Sequence, residues 1–135
     1  MSGPALAAAA LNLAGTRFRL HGRDPATGLD CVGVLAASLS AIGREAPLPQ
    51  AYALRSRFVA GLDGFAGACG LVSAGSECMA GDVLLFRVAP CQLHLAIALG
   101  PDRGVHAHAG LRRVIAGPLS PQWALARHWR LADER

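Results

Sequence analysis

Cysteine and histidine are the side chains best suited to covalent and proton-transfer chemistry near neutral pH, and this chain holds Cys31, Cys69, Cys78 and Cys91 with His21, His94, His106, His108 and His128. Cys31 stands out by position. It follows the turn Gly28-Leu-Asp-Cys31 and opens the apolar segment Val32 to Ile42, which reads as a helix ended by Gly43. A thiol at a helix start gains thiolate character from the helix dipole and from a neighbouring imidazolium. The first-turn N–H groups, which lack helical partners, can hold an oxyanion. Gly33 allows a close approach of substrate or of another strand.

A thiol nucleophile needs a base on an element facing that helix start. His94 lies in the otherwise apolar run Leu93-His-Leu-Ala-Ile-Ala-Leu99, and His106 and His108 alternate along the next run, Gly104 to Ala109. Alternation puts both on one face of a strand, where either could orient the imidazole of His94. An idealised hairpin register leaves the choice between them open. His21 and His128 have no such setting and read as surface or loop residues.

The positioning elements follow from pattern. Pro4 and the alanines after it predict a helix over about Pro4 to Ala14, stopped by Gly15. A loop rich in Gly and Pro, His21 to Gly28, leads to the Cys31 helix, and a further helix is expected from about Gln50 to Leu62. Small residues and turn formers fill Gly61 to Gly81. Strands follow at Asp82–Val88, Leu93–Leu99, Gly104–Ala109, Leu111–Ile115 and about Ala126–Leu131, with Trp123 and Trp129 read as core aromatics. Helices first and an antiparallel sheet afterwards give an α+β fold. At 135 residues the expectation is a single domain, 1–135.

Composition excludes several classes. The apolar share is 53%, yet no stretch reaches the ~18 to 20 residues that span a bilayer. The net charge is +4 and all 13 basic residues are arginine. They are scattered, and aromatics are only 5%, so stacking platforms for nucleic-acid bases are missing. The N-terminus has an apolar run with no basic residue before it and reads as helix, not signal peptide. Cys69, Cys78 and Cys91 read as buried free thiols. Cys91-x-x-His94 has ligand-like spacing, but the other spacings fit no common zinc pattern, so no metal is expected.

Five short segments in order carry a resemblance: Gly15-Thr-Arg-Phe18-Arg19, Gly28-Leu-Asp30-Cys31-Val-Gly33, Gly81-Asp82-Val-Leu-Leu-Phe86, His94-Leu-Ala-Ile-Ala-Leu-Gly100, and Val105-His106-Ala107. Together they resemble the NlpC-type cell-wall cysteine peptidases, from the first helix to about Val114. The resemblance implies a minimal papain-like fold, N-terminal helices packed on a C-terminal antiparallel sheet, with no metal or organic cofactor. It implies a thiol endopeptidase cutting peptidoglycan stem peptides, commonly between D-glutamate and the diamino acid. Carried over by motif, Cys31 is the nucleophile, His94 the base and His106 the third polar residue, a choice over His108 that rests on resemblance alone.

Asp30 then stands where it could recognise a substrate amine or simply cap the helix, and Phe18 and His108 join it as substrate contacts. Phe18 replaces a usual Tyr, Leu20-His21 a common Trp-Gly, and Val32 a frequent Ser, which puts specificity in greater doubt than the nucleophile. A short chain without a signal peptide or wall-binding domain resembles the phage or phage-derived tail branch. That implies a protein held in the cytoplasm until lysis or carried on a tail or baseplate particle, acting on the wall in the periplasm. Two other readings share the residues: an amidase or acyltransferase on the same fold, and a non-enzymatic tail component.

Overall fold

The computed structural model describes residues 2–45, 60–75, 77–90 and 92–132. The described residues form three helices, α1 (Ser2–Leu11), α2 (Cys31–Ala41) and α3 (Ala60–Ala68), with strands β1 (Arg23–Asp24), β2 (Gly28–Leu29), β3 (Leu71–Ser73), β4 (Val83–Ala89), β5 (Gln92–Ala98), β6 (Arg103–His108), β7 (Arg113–Pro118) and β8 (Ala124–Leu131). Strands β3 to β8 form an antiparallel six-stranded sheet in the order β3-β8-β4-β5-β6-β7, and β1 and β2 make a small separate ribbon. Helices followed by an antiparallel sheet is the α+β layout expected. Among the described residues no helix is long and apolar enough to cross a membrane.

Pleating sorts the strand residues to two faces. Val83, Leu85, Leu93, Leu95, Ile97, Val105 and Val114 join Leu6, Val32, Leu35 and Leu39 of the helices in the main core. Burying each of these side chains contributes roughly 1.5–3 kcal/mol. Leu84, Phe86, Ala96 and Ala98 point the other way, where Val88, Leu119 and Trp123 cover them. Because both faces are covered, β4 opens as an unbroken apolar run, Val-Leu-Leu-Phe, without alternation.

The helices depart from expectation in instructive ways. α1 ends at Leu11, three residues early, and 12–15 turn so that Gly15, at φ +93°, can donate to the Val114 carbonyl. Thr16 and Phe18 bond with Val114 and Arg112, laying 15–18 along the β7 edge. The helix expected from Gln50 falls mostly on residues outside those described. Within Gly61 to Gly81, read as turns, α3 forms because Phe65, Ala66 and Cys69 pack into the core, Phe65 edge-on to Trp129. The strand expected at Leu111 starts two residues later, since Arg112 takes φ +56° to close the turn. β8 inserts between β3 and β4.

His128 was read as a surface residue; it lies on β8, with Nε2 2.6 Å from Oδ2 of Asp82. Asp82 is buried and also accepts from Arg130 Nε at 2.8 Å, Arg130 Nη2 at 2.9 Å and the Met79 amide at 2.9 Å. Burial alone would raise its carboxyl, but the bonds from Arg130, Met79 and His128 outweigh it and hold it below the usual carboxylate range. This network ties β8 to the start of β4. Cys78 has a potential ligand atom within 4.8 Å of those of Asp82 and His128, but the arginine already balances the carboxylate. Cys69 and Cys78 are free thiols, Cys69 buried and Cys78 half-buried.

The start of α2 sits where three glycines let backbones meet. A Cβ on Gly33 would collide with the Gly22 carbonyl oxygen, and one on Gly22 with the Gly28 carbonyl. Gly33→Ala is therefore expected to destabilise the fold by about 1–3 kcal/mol, read as a lowered midpoint in urea unfolding with unchanged slope.

Candidate active site

Cys31 is the first residue of α2, and the helix is capped by the residue before it. Asp30 has extended backbone and its Oδ1 accepts from the Gly33 amide at 2.8 Å, the N-cap geometry. The same carboxylate takes the His21 amide on Oδ2 at 2.9 Å and Arg23 Nη1 on Oδ1 at 2.9 Å. His21 adopts φ +60° to make its bond. One buried carboxylate thus fixes the loop, the ribbon and the helix start together.

The Cys31 sulfur is approached by the N–H groups of Leu95, Val32 and Cys31 itself. Gly33 and Val34 donate to Asp30, so the amides of Cys31 and Val32 are the first-turn donors that face the sulfur. Burial pushes the thiol up to about 12, against the lowering by the Leu95 amide, and the Asp30 charge adds to the rise. A helix-start thiol was expected to be acidic; desolvation overrides the helix dipole here.

Across the pocket, His94 Nε2 lies 2.8 Å from His106 Nδ1. The two strands share ladder pairs at Ile97↔Val105 and Ala98↔Gly104, and the histidines stand beyond that ladder at the pocket end. Extending the ladder would oppose His94 to His108 and His106 to Ala96, so the observed pair is a diagonal one. His108 instead accepts the Leu111 amide on Nδ1 at 3.0 Å, which leaves its Nε2 as a donor. Burial, then repulsion from His106 and His108, drives His94 down to about 3. Burial and His108 take His106 to about 4. The resting site holds an uncharged thiol and two uncharged imidazoles at neutral pH.

These residues line one cavity of about 570 Å³, together with Phe18, Asp30 and His108. All six residues expected at a site from sequence therefore border the same space. Sequence reasoning missed Trp123, read as core: its ring sits edge-on to His94 and His106, with centroids 5.2 and 5.4 Å away, and packs on Phe86 at 5.5 Å. No spacing signal marks it, because β8 reaches β4 from far along the chain. Gln92 and Val88 also border the cavity.

No protein-family model and no functionally curated protein matches the sequence. Solved structures do. NlpC1 from Trichomonas vaginalis superposes with a TM-score of 0.70 at 17% identity, over 98% of this chain and 45% of that one. The NlpC/p60 domain of the peptidoglycan hydrolase SagA gives 0.64 at 28% identity, over 95% and 97%. The P60 domain of a Mycobacterium avium subspecies paratuberculosis antigen gives 0.62 at 16%, over 96% and 94%. The fold is that of the NlpC/P60 domains. Its papain-like α+β arrangement accords with the resemblance read from the five motifs, while the chain spans less than half the length of the T. vaginalis protein.

The depressed imidazoles make stability depend on pH. Both histidines bind protons near 6.5 when unfolded but near 3 and 4 when folded. Between those values the unfolded chain takes up more protons, so their contribution to stability is full above pH 6.5 and is lost as pH falls through the window. A calorimetric melting temperature that declines from pH 7 to 4, with a shallower decline in the double variant His94→Gln/His106→Gln, is the expected result.

Proposed function

We propose that this chain, taken as one NlpC-type domain, is a thiol endopeptidase of that family acting on peptidoglycan stem peptides at the bond between D-glutamate and the diamino acid. The observation that carries the reading is the 2.8 Å contact between His94 Nε2 and His106 Nδ1 in the cavity that Cys31 also lines. SagA, whose NlpC/p60 domain is 28% identical over nearly the whole chain, is a peptidoglycan hydrolase, which supports the substrate. The named neighbours are not phage proteins, and carriage on a tail particle stays a proposal from the sequence alone.

The proposed roles call for one of the two tautomer arrangements that the His94–His106 contact allows. His106 is neutral at pH 7 because burial holds it near 4, so its Nδ1 can accept from His94 Nε2–H. That fixes the lone pair of His94 on Nδ1, free to take the thiol proton. On attack the sulfur bonds to the scissile carbonyl carbon as the proton passes to His94, and the new imidazolium is held by His106. The oxyanion develops near the amides of Cys31 and Val32. His94 then protonates the departing amine, a thioester forms on Cys31, and water activated by His94 hydrolyses it.

Purified protein should release new amine termini from peptidoglycan. Cys31→Ser should lose this activity by on the order of a thousandfold. His106→Leu should lose roughly 10- to 100-fold, with partial rescue in His106→Asn, which restores an acceptor. Activity unaffected by Cys31→Ser would reject the proposal.

A further inference from the structure

Along the β7 edge, the Phe18 amide donates to the Arg112 carbonyl at 3.0 Å and the Val114 amide to the Thr16 carbonyl at 2.8 Å. These two bonds set Arg17 directly opposite Arg113. Because they flank the pair and neither joins it, it is of the narrow, non-hydrogen-bonded kind, whose side chains share one face and approach most closely. Two guanidiniums placed there repel each other. Arg112, in the adjoining turn, brings a third, and the three line a cavity of about 530 Å³ together with Phe18 and Leu111. All three arginines are exposed, and among the described residues no carboxylate pairs with any of them. Arg113 Nη1 has the Gly15 carbonyl at 3.3 Å, which leaves its charge unbalanced. Along the chain the arginines are scattered; the fold gathers these three.

We propose that Arg17, Arg112 and Arg113 form an anion-binding site for a phosphodiester polymer. Planar guanidinium forks match phosphate oxygens two at a time. A single carboxylate would leave most of this charge uncompensated, whereas successive phosphates along a chain can each meet one arginine and offset the cross-strand repulsion. In a site this open to solvent one ion pair contributes little, and affinity comes from several charges acting together. Phe18 is the one aromatic at this cavity, so the stacking wall that a single-stranded nucleic acid uses is missing. Phe18 also borders the cavity of Cys31, which puts a bound polymer at that cavity's rim. The site uses neither Cys31 nor the histidines, so its failure would leave the hydrolase reading untouched.

The test is isothermal titration calorimetry with inorganic polyphosphate, charge-matched poly-L-glutamate and a single-stranded oligonucleotide, over a series of sodium chloride concentrations. Native protein should bind polyphosphate most tightly of the three. Arg17→Gln, Arg112→Gln and Arg113→Gln should each weaken that binding about two- to fivefold and reduce the salt slope by about 1. Arg103→Gln, which removes the same charge from the exposed start of β6, should weaken it less than any of them. Without polyphosphate, Arg17→Gln should melt no lower than the native protein, since it removes one of two opposed like charges; this separates lost binding from lost folding. The proposal is overturned by absent polyphosphate binding, by an equal loss in Arg103→Gln, by a lower melting temperature in Arg17→Gln, or by equal or tighter binding of poly-L-glutamate or the oligonucleotide.

Discussion

The site depends on the buried carboxylate of Asp30. Its bonds to the His21 amide, Arg23 and the Gly33 amide join the loop leading into α2 to the helix start, and backbone bonds such as that of the Asp30 amide to the Gly22 carbonyl run alongside them. The glycines at 22, 28 and 33 are the steric counterpart of that bond set, because the carboxylate can reach all three donors only where backbones cross without Cβ atoms between them. A fold that fixes a helix start this tightly can place a sulfur to a fraction of an ångström, which proximity catalysis requires.

The opposite wall is built by different means. There the ladder between β5 and β6 gives way to a pair of side chains, and His94 and His106 are held by each other and by Trp123. Burial keeps all three reactive groups uncharged at rest. The thiol and the imidazoles therefore form no ion pair at rest. In the proposed mechanism charge develops on His94 when a carbonyl occupies the cavity, and a neutral His106 accepts its hydrogen bond. The low value of His106 suits that mechanism, since a protonated His106 would repel an imidazolium forming on His94.

Much of this was legible from the residues. Cys31 at a helix start followed from Asp-Cys-x-Gly and Gly43, and the strands followed from apolar runs bounded by Gly and Pro. His106 Nδ1 lies 2.8 Å from His94 Nε2, a pairing that strand geometry alone left open. Trp123 and His128 were missed for one reason: His128 lies on β8 and Trp123 immediately precedes it, and the insertion of β8 between β3 and β4 is a long-range pairing that local patterns do not encode. The acidity of Cys31 was misjudged because a helix dipole can be read from sequence and depth of burial cannot.

The most direct test of the central claim, that His94 serves the Cys31 thiol, is the rate of Cys31 alkylation by iodoacetamide against pH in the native protein and in His94→Ala. Because His94 is unprotonated above about 3, the native rate should be flat across the neutral range, sustained by proton transfer from sulfur to imidazole. The variant's rate should instead climb about tenfold per pH unit toward the thiol's own raised value. Superimposable profiles in the two proteins would contradict the account.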